Sequence, residues 1–196
     1  MTTKTELTKE DILDLAAYEE IRIQRRAEIA ELKKPRRLSV GPYATFYFEC
    51  YDTMWYQVHE MLRIEKGGEE QLKDELLAYN PLIPNGNELV ATVMFEIDDA
   101  DKRHLFLSDI GGVENSFVLE IDGDSITATP EDDVERTNEA GKASSVQFIH
   151  FQLSDVQITK FKKADARVMV GINHPNYGHM TILPEVSRAA LAQDIQ

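Results

Sequence analysis

Two histidines near the end of the chain form the first group whose types and spacing could support chemistry. His174 and His179 stand on either side of a turn-forming segment that contains Tyr177. If two antiparallel strands pair across this turn, the imidazole rings flank it, within reach of one metal ion. Zinc or iron would need further ligands. Besides many carboxylates, the candidates are the remaining histidines, His59, His104 and His150. Histidines that cap the turn are the simplest interpretation, and acid–base chemistry, ligand binding and metal binding are the alternatives.

A second group lies on a predicted helix around residues 56–65. Gln57, Glu60 and Arg63 recur at every third residue, so we expect them to line one face, opposite Val58 and Leu62. A solvated face with an ion pair is the simplest interpretation. An amide, a carboxylate and a guanidinium that project together would also suit recognition of a small polar ligand or of a partner's surface.

Several motifs that carry common chemistries are absent from the sequence. Neither glycine-rich phosphate loop occurs, and there is no G-x-S-x-G nucleophile elbow. His59 does not begin an H-E-x-x-H zinc motif, because Arg63 occupies the place of the second histidine. The single cysteine, Cys50, falls on the apolar face of a predicted strand, where we expect a buried structural thiol. We therefore expect no cofactor and no metal centre, with His174 and His179 as weak candidates for metal ligands.

The charge of the chain is negative overall but unevenly distributed. The formal net charge is −14, whereas one N-terminal run is basic. This run comprises Arg22, Arg25, Arg26, Lys33, Lys34, Arg36 and Arg37. Neutralisation by the acidic region 96–135 and docking of an acidic partner protein are the two main interpretations. Nucleic acid is disfavoured, since the basic run lacks interleaved aromatic residues and the overall charge repels phosphate.

Length and composition indicate an ordinary globular protein. The chain has 196 residues, of which 42% are hydrophobic, so we expect a single domain over residues 1–196. No apolar run approaches the 18 residues or so of a membrane span, and no signal peptide is visible. We expect a cytoplasmic protein that does not bind membranes.

The pattern of apolar residues predicts an α+β fold. A helical segment over residues 8–34 begins at the N-cap candidate Thr8 and is expected to bend near Ala17, where its apolar stripe changes direction. Several later segments alternate in the manner of strands, and Asp122-Gly123 is typical of a two-residue hairpin turn. Residues 130–144 contain almost nothing to bury and predict a mobile acidic loop. We therefore expect an antiparallel sheet built from hairpins, packed with N-terminal and intervening helices.

Five segments of the chain resemble a known bacterial family in their order and spacing. They are residues 7–11 (LTKED), 33–38 (KKPRRL), 56–65 (YQVHEMLRIE), 79–84 (YNPLIP) and 174–179 (HPNYGH). The family is the one catalogued as domain of unknown function 3501. Its members lie in gene clusters with rubrerythrin-like proteins and cysteine-rich iron-sulfur oxidoreductases, so the resemblance implies an accessory role in a redox system. His59 and His150 depart from the family pattern, which has Gln and Arg at those positions.

Three functions remain open from the sequence. The leading hypothesis is a non-catalytic accessory protein that binds a redox partner through the basic run and the face of Gln57, Glu60 and Arg63. The first alternative is a small-ligand protein or a metal-dependent enzyme, in which that face and the hairpin of His174, Tyr177 and His179 line one pocket. The second alternative is a homodimeric scaffold.

Overall fold

The computed structural model describes residues 4–131 and 135–196, which form helices and two antiparallel sheets. The helices are α1 (Leu15–Lys33), α2 (Tyr51–Glu65), α3 (Gly68–Tyr79), α4 (Ala100–Asp109), α5 (Asp155–Phe161) and α6 (Glu185–Leu191). The strands are β1 (Arg37–Val40), β2 (Ala44–Phe48), β3 (Glu88–Phe95), β4 (Phe117–Ile121), β5 (Asp124–Thr127), β6 (Thr129–Pro130), β7 (Val146–Gln152), β8 (Val168–His174) and β9 (Tyr177–Ile182). The α+β prediction is therefore confirmed.

The first sheet has the order β1-β2-β3-β7-β6 and the second has the order β5-β4-β8-β9. Side chains alternate between the two faces of a strand, so one face of each sheet can be wholly apolar. Phe46, Leu89 and Ile149 of the first sheet share a buried core with Leu119 and Val170 of the second. The main hydrophobic core of the protein is therefore built from buried side chains of both sheets.

Helices α1, α2 and α3 belong to a second hydrophobic cluster, which includes residues of the opposite face of the first sheet. Tyr18 of α1 and Trp55 and Val58 of α2 are buried there, together with Val90 of β3. Val90 follows Leu89 in the same strand, so its side chain projects from the other face. The first sheet is thus covered on both faces.

The Asp122-Gly123 turn is confirmed as the connection of a hairpin. Asp122 and Gly123 have φ values of 49° and 89°, the positive values that a type I′ turn requires at both central positions. Ile121 and Asp124 face each other in the register of β4 and β5. Helix α4 begins after Asp99, whose carboxylate caps its first turn by accepting a hydrogen bond from the Lys102 amide.

The N-terminal segment breaks earlier than the sequence predicts. Thr8 is an N-cap as expected, and it forms a capping box with Asp11 around a single 3-10 turn, Lys9–Asp11. The chain is then extended at Ile12, and α1 begins only after Asp14, whose carboxylate accepts a hydrogen bond from the Ala17 amide. We call residues 4–14 the N-terminal strap. The predicted bend near Ala17 does not occur, because α1 is continuous from Leu15 to Lys33, and the break before Asp14 takes its place.

Two smaller predictions also need correction. Strand β2 ends at Phe48, so Cys50 does not lie within a strand. It is buried at the N-cap of α2. In the predicted loop 130–144, Arg136 and Ala143 are buried, and the Ala143 amide donates a hydrogen bond to the Leu107 carbonyl. This contact attaches the segment to α4. The mobility of the loop stays a prediction, and its residues 132–134 lie outside the described part of the chain.

The strap is held by three side chains of neighbouring helices. Asn80 exchanges two hydrogen bonds with the backbone of Leu7, and the Trp55 indole donates to the Asp11 carbonyl at 2.9 Å. His59 is only 2% exposed, and its Nε2 accepts a hydrogen bond from the Leu13 amide at 3.0 Å. Its Nδ1 lies 2.7 Å from the Trp55 carbonyl, which can only accept. The imidazole is therefore neutral with its proton on Nδ1.

This arrangement makes a prediction about pH. Burial lowers the pKa of His59 below its ordinary value of 6.5, so the folded protein binds fewer protons than the unfolded chain at mildly acidic pH. The contribution of His59 to the free energy of unfolding is therefore present above pH 6.5 and decreases as the pH falls below it. In a His59→Gln variant, we expect a weaker loss of stability between pH 7 and pH 5.

Urea unfolding, followed by the fluorescence of the single tryptophan, Trp55, measures this difference. His104 is exposed on α4, so His104→Gln is the matched control and should follow the unmodified protein at every pH. Parallel stability curves for the His59→Gln variant and the unmodified protein would contradict the prediction.

Candidate functional site

A cavity of about 370 Å³ involves the outer face of the first sheet and the helices α1, α2 and α3. We call it the inter-layer cavity. Its polar or charged lining residues are Lys33, Tyr47, Glu49, Gln57, Tyr79 and Thr92. Its apolar lining residues are Met54, Leu82, Met94, Val146 and Phe148. A concave site that combines apolar surface with polar groups pointing to one place is the usual form of a small-molecule site.

The strand register builds the floor of the cavity. Tyr47 of β2 faces Thr92 of β3, which in turn faces Phe148 of β7. Residues directly opposite each other in antiparallel strands project from the same face of the sheet. The floor therefore carries a hydroxyl between two aromatic rings.

Glu49 follows strand β2 and brings a buried carboxylate to the cavity. Its Oε1 accepts a hydrogen bond from the Thr92 hydroxyl at 2.8 Å, and its amide donates to the Val90 carbonyl. Burial lowers the pKa of Arg36, but its hydrogen bond to Asp194 and the negative charges of nearby groups, including Glu49, raise that pKa more strongly. The Arg36 guanidinium is therefore coupled electrostatically to Glu49 as well as to its ion-pair partner Asp194.

Helices supply the remaining polar groups. Gln57 of α2 donates a hydrogen bond from Nε2 to the Tyr79 hydroxyl, 3.3 Å away at the end of α3. Lys33 is the last residue of α1, where a cation interacts favourably with the helix dipole. Within residues 4–131 and 135–196, the Lys33 ammonium has no ion pair. The cavity thus offers a positive charge, a carboxylate and an amide to one ligand.

The predicted face of Gln57, Glu60 and Arg63 is divided in the structure. Glu60 accepts hydrogen bonds from the Tyr18 hydroxyl at 2.7 Å and from two nitrogens of Arg22 at 2.7 and 2.8 Å. The hydrogen bond from Arg22 lowers the pKa of Glu60 to about 2. Arg63 donates to Glu19 at 2.6 Å. Three-residue steps rotate by about 60° around a helix, so these side chains spread: Gln57 lines the cavity, while the other two bind α1.

The hairpin residues make contacts that support the fold. The Tyr177 hydroxyl accepts hydrogen bonds from the Tyr43 and Ala44 amides and donates to the Val40 carbonyl, which holds the turn between β1 and β2. His174 Nε2 lies 3.3 Å from the Gly111 carbonyl, and His179 packs edge-on against the Tyr177 ring. These contacts agree with the structural interpretation of the two histidines.

The helix face and the hairpin do not form the shared pocket proposed from the sequence. Gln57, Glu60 and Arg63 contact α1 and α3, whereas Tyr177 belongs to the core cluster that includes both sheets. The structure therefore places the two groups among different neighbours.

His150, one of the histidines proposed as further metal ligands, lies between two carboxylates. His150 Nδ1 lies 3.0 Å from Glu88, and its Nε2 lies 2.6 Å from Glu131, so the carboxylates flank different nitrogens. Burial lowers the pKa of His150, but the two carboxylates outweigh this effect and raise it. In the part of the chain that the structure describes, no group of three or more His, Cys, Asp or Glu is placed to hold a metal ion.

Most of the basic run is neutralised within the protein. Arg22 pairs with Glu60, Arg25 with Glu28 and Asp52, Lys34 with Glu31, Arg36 with Asp194, and Arg37 with Glu96. Of these partners, Glu96 alone belongs to the acidic region 96–135, so the expected neutralisation by that region is largely wrong. Arg36 is buried and cannot belong to a docking surface. Among the described residues of the run, Arg26 and Lys33 have no ion pair.

The sequence-based search missed Glu49 and Thr92 as site residues. For Glu49 a signal was present in the alternation of apolar and polar residues, because Glu49 falls with Tyr47 on the polar face of the predicted strand. The partner strand and its register were not visible in the sequence, so nothing linked Glu49 to Thr92 or to the helices.

Comparisons with known proteins place the chain among proteins without an assigned activity. A family model described as "Protein of unknown function (DUF3501)" matches residues 6–195. The chain is similar to a novel protein of unknown function from Burkholderia pseudomallei K96243, with a TM-score of 0.89 and 36% identity over 97% of this chain and 99% of that chain. No curated protein matches. Among the described helices, none has the length and apolarity to cross a bilayer.

The ion pairs of the basic run make a prediction about stability. The Arg36 and Asp194 side chains are 7% and 6% exposed, and two hydrogen bonds of 2.6 and 2.9 Å join them. An Arg36→Met variant leaves a buried carboxylate without its partner, so we expect a loss of about 3–5 kcal/mol in the free energy of unfolding. Arg26 is exposed, so Arg26→Met should change the free energy of unfolding by less than about 0.5 kcal/mol. Urea unfolding compares the two variants, and equal effects would contradict the distinction.

Proposed function

Since the chain belongs to the DUF3501 family of proteins of unknown function, we propose a function from the site itself. The protein binds a small molecule in the inter-layer cavity, and this molecule combines an acidic group, an apolar body and a hydroxyl or amino group. The observation that carries the proposal is Lys33, which lines the cavity and whose ammonium has no ion pair among the described residues.

The acidic group follows from the contrast between two adjacent lysines. Lys34 is exposed and pairs with Glu31 at 2.6 Å. Lys33 is half-buried and lines the cavity without such a partner in the described chain. A half-buried ammonium gains from a negatively charged partner, because the local dielectric constant is lower than that of water. A carboxylate on the ligand would supply that partner.

The apolar body and the third group follow from the rest of the lining. Phe148, Met54 and Leu82 offer apolar surface, and about 370 Å³ lies at the small end of ligand pockets, about 300–1,000 Å³. An ionised carboxylate has about four acceptor positions, so Glu49 can accept a further hydrogen bond besides the one from Thr92. A hydroxyl or amino group on the ligand would donate it.

Binding rather than catalysis is the function that this lining favours. Its described lining contains no histidine, serine or cysteine. The thiol of Cys50, the residue after Glu49, is buried, which raises its pKa and disfavours the reactive thiolate. We therefore propose a ligand-binding protein.

This function is tested by ligand-observed NMR, which detects binding of a panel of small carboxylic acids that also carry an apolar group and a hydroxyl or amino group. 4-Hydroxyphenylacetate and L-phenylalanine are suitable members, and phenethylamine, which lacks the carboxylate, is the probe control. We expect a Lys33→Met variant to weaken binding of the acids about tenfold, because a charged hydrogen bond is lost. Lys34→Met should leave binding unchanged. Binding that is equally strong in both variants, or no binding of any acid in the panel, would count against the proposal.

Docking of a protein partner is a second proposal, and the exposed side of α1 favours it. Ile23 is 84% exposed, and Arg26 lies three residues further along the helix, also exposed. An exposed apolar side chain beside an unpaired cation of the described chain suits an acidic partner. The resemblance to a redox-associated family suggests rubrerythrin-like and iron-sulfur proteins as candidates. This surface is smaller than the seven-residue run that the sequence predicted.

Pull-down of the purified products of the neighbouring genes tests the second proposal. We expect Arg26→Glu and Ile23→Ser to abolish capture, because they remove the positive charge and the apolar contact. Lys73→Glu, an exposed reversal on α3, is the matched control. Capture that survives in both α1 variants would exclude this surface as the docking site. If light scattering detects a dimer of the unmodified protein, and both variants are monomers, the surface binds a second copy of the chain instead.

A further inference from the structure

A second cavity, of about 470 Å³, lies beside the N-terminal strap. The strap and the first turns of α1 form one side, and the end of α2 and the start of α3 form the other. We call it the strap cavity. We propose that it binds a single-chain amphiphile with an anionic head group, such as a medium-chain fatty acid.

The wall of the strap cavity is mainly aliphatic. Leu62 of α2 and Leu72 of α3 line it together with Leu13 and Leu15, which are 38% and 44% exposed. Large apolar side chains at a cavity mouth leave apolar surface in contact with water. An apolar chain that enters the cavity would remove this surface from water, which is favourable in proportion to the area covered.

The polar groups inside the cavity already have partners. Both nitrogens of His59 are used, one towards the Trp55 carbonyl and the other by the Leu13 amide. The Tyr18 hydroxyl donates to Glu60, and Asp14 accepts from the Ala17 amide. A polar ligand group in the interior would therefore lose its hydrogen bonds to water without replacing them. The part of the ligand that enters must be apolar.

A single cation among the lining residues of the described chain lacks an ion pair. Lys9 pairs with Glu69 at 2.7 Å, whereas Lys66 has no such partner. Lys66 is the C-cap of α2 and has a φ of 54°, so the helix ends there and its exposed side chain belongs to the rim. One unpaired ammonium beside an apolar interior matches one anionic head group with an apolar tail.

Helix α2 contributes to both cavities through different residues. Met54 and Gln57 line the inter-layer cavity, while His59 and Leu62 line the strap cavity. The two sites share no lining residue. The strap cavity is thus a separate site, and its occupation does not depend on the function proposed above.

Isothermal titration calorimetry with decanoate, below its micelle concentration, tests the proposal. We expect saturable binding of one decanoate per chain. Leu72→Asp places a negative charge in the wall and should weaken binding more than about tenfold. Leu77→Asp makes the same change on the same helix at a site that is 78% exposed, and should leave binding unchanged. Far-UV circular dichroism verifies that both variants are folded.

A second variant pair tests the head group and does not alter the core. Lys66→Gln should weaken the binding of decanoate by up to about fivefold but leave the binding of the neutral probe decanol unchanged. Lys73→Gln, on the exposed side of α3, should change neither. No saturable decanoate binding, or binding insensitive to Leu72→Asp, would overturn the proposal. Loss of decanoate binding in Lys33→Met with retention in folded Leu72→Asp would also overturn it, since the ligand would then occupy the inter-layer cavity.

Discussion

Coverage of the five-stranded sheet on both faces is the constraint on which the rest of the structure depends. A sheet that is covered on both faces buries the side chains that project from it. A buried polar group without a hydrogen-bond partner lowers the stability of the fold. The polar residues of its outer face accordingly have partners: Glu49 binds Thr92, and Glu88 lies against His150. The same coverage requires α1, α2 and α3 to pack over an irregular surface, and the gap that remains there is the inter-layer cavity.

Helix α1 is attached to this layer by charge as well as by apolar contact. Arg22 binds Glu60 through two nitrogens, and Arg25 pairs with Asp52 while its guanidinium lies 4.8 Å from the Trp55 ring. These contacts join a basic helix to α2. The basic run therefore serves mainly to assemble the helical layer, and only its outward residues are available to other molecules.

Helix α2 connects the two cavities to the core. Its buried side lies in the second hydrophobic cluster, and residues on its flanks line one cavity or the other. The two cavities differ in chemistry, because the inter-layer cavity contains several polar groups whereas the strap cavity has an apolar interior and a charged rim. The neutral His59 holds the strap that bounds the second of them.

The sequence by itself determined the local structures whose causes are local. Alternation predicted the strands, Asp122-Gly123 predicted its hairpin, and the N-cap candidate Thr8 predicted the start of a helical turn, since each depends on neighbouring residues. The family resemblance was also visible there. Only the tertiary structure decided where α1 begins, which cations are buried, and that Glu49, Gln57 and Lys33 meet in one cavity. Those outcomes depend on contacts between residues far apart in the chain, and the pattern of one segment contains no information about its distant partner.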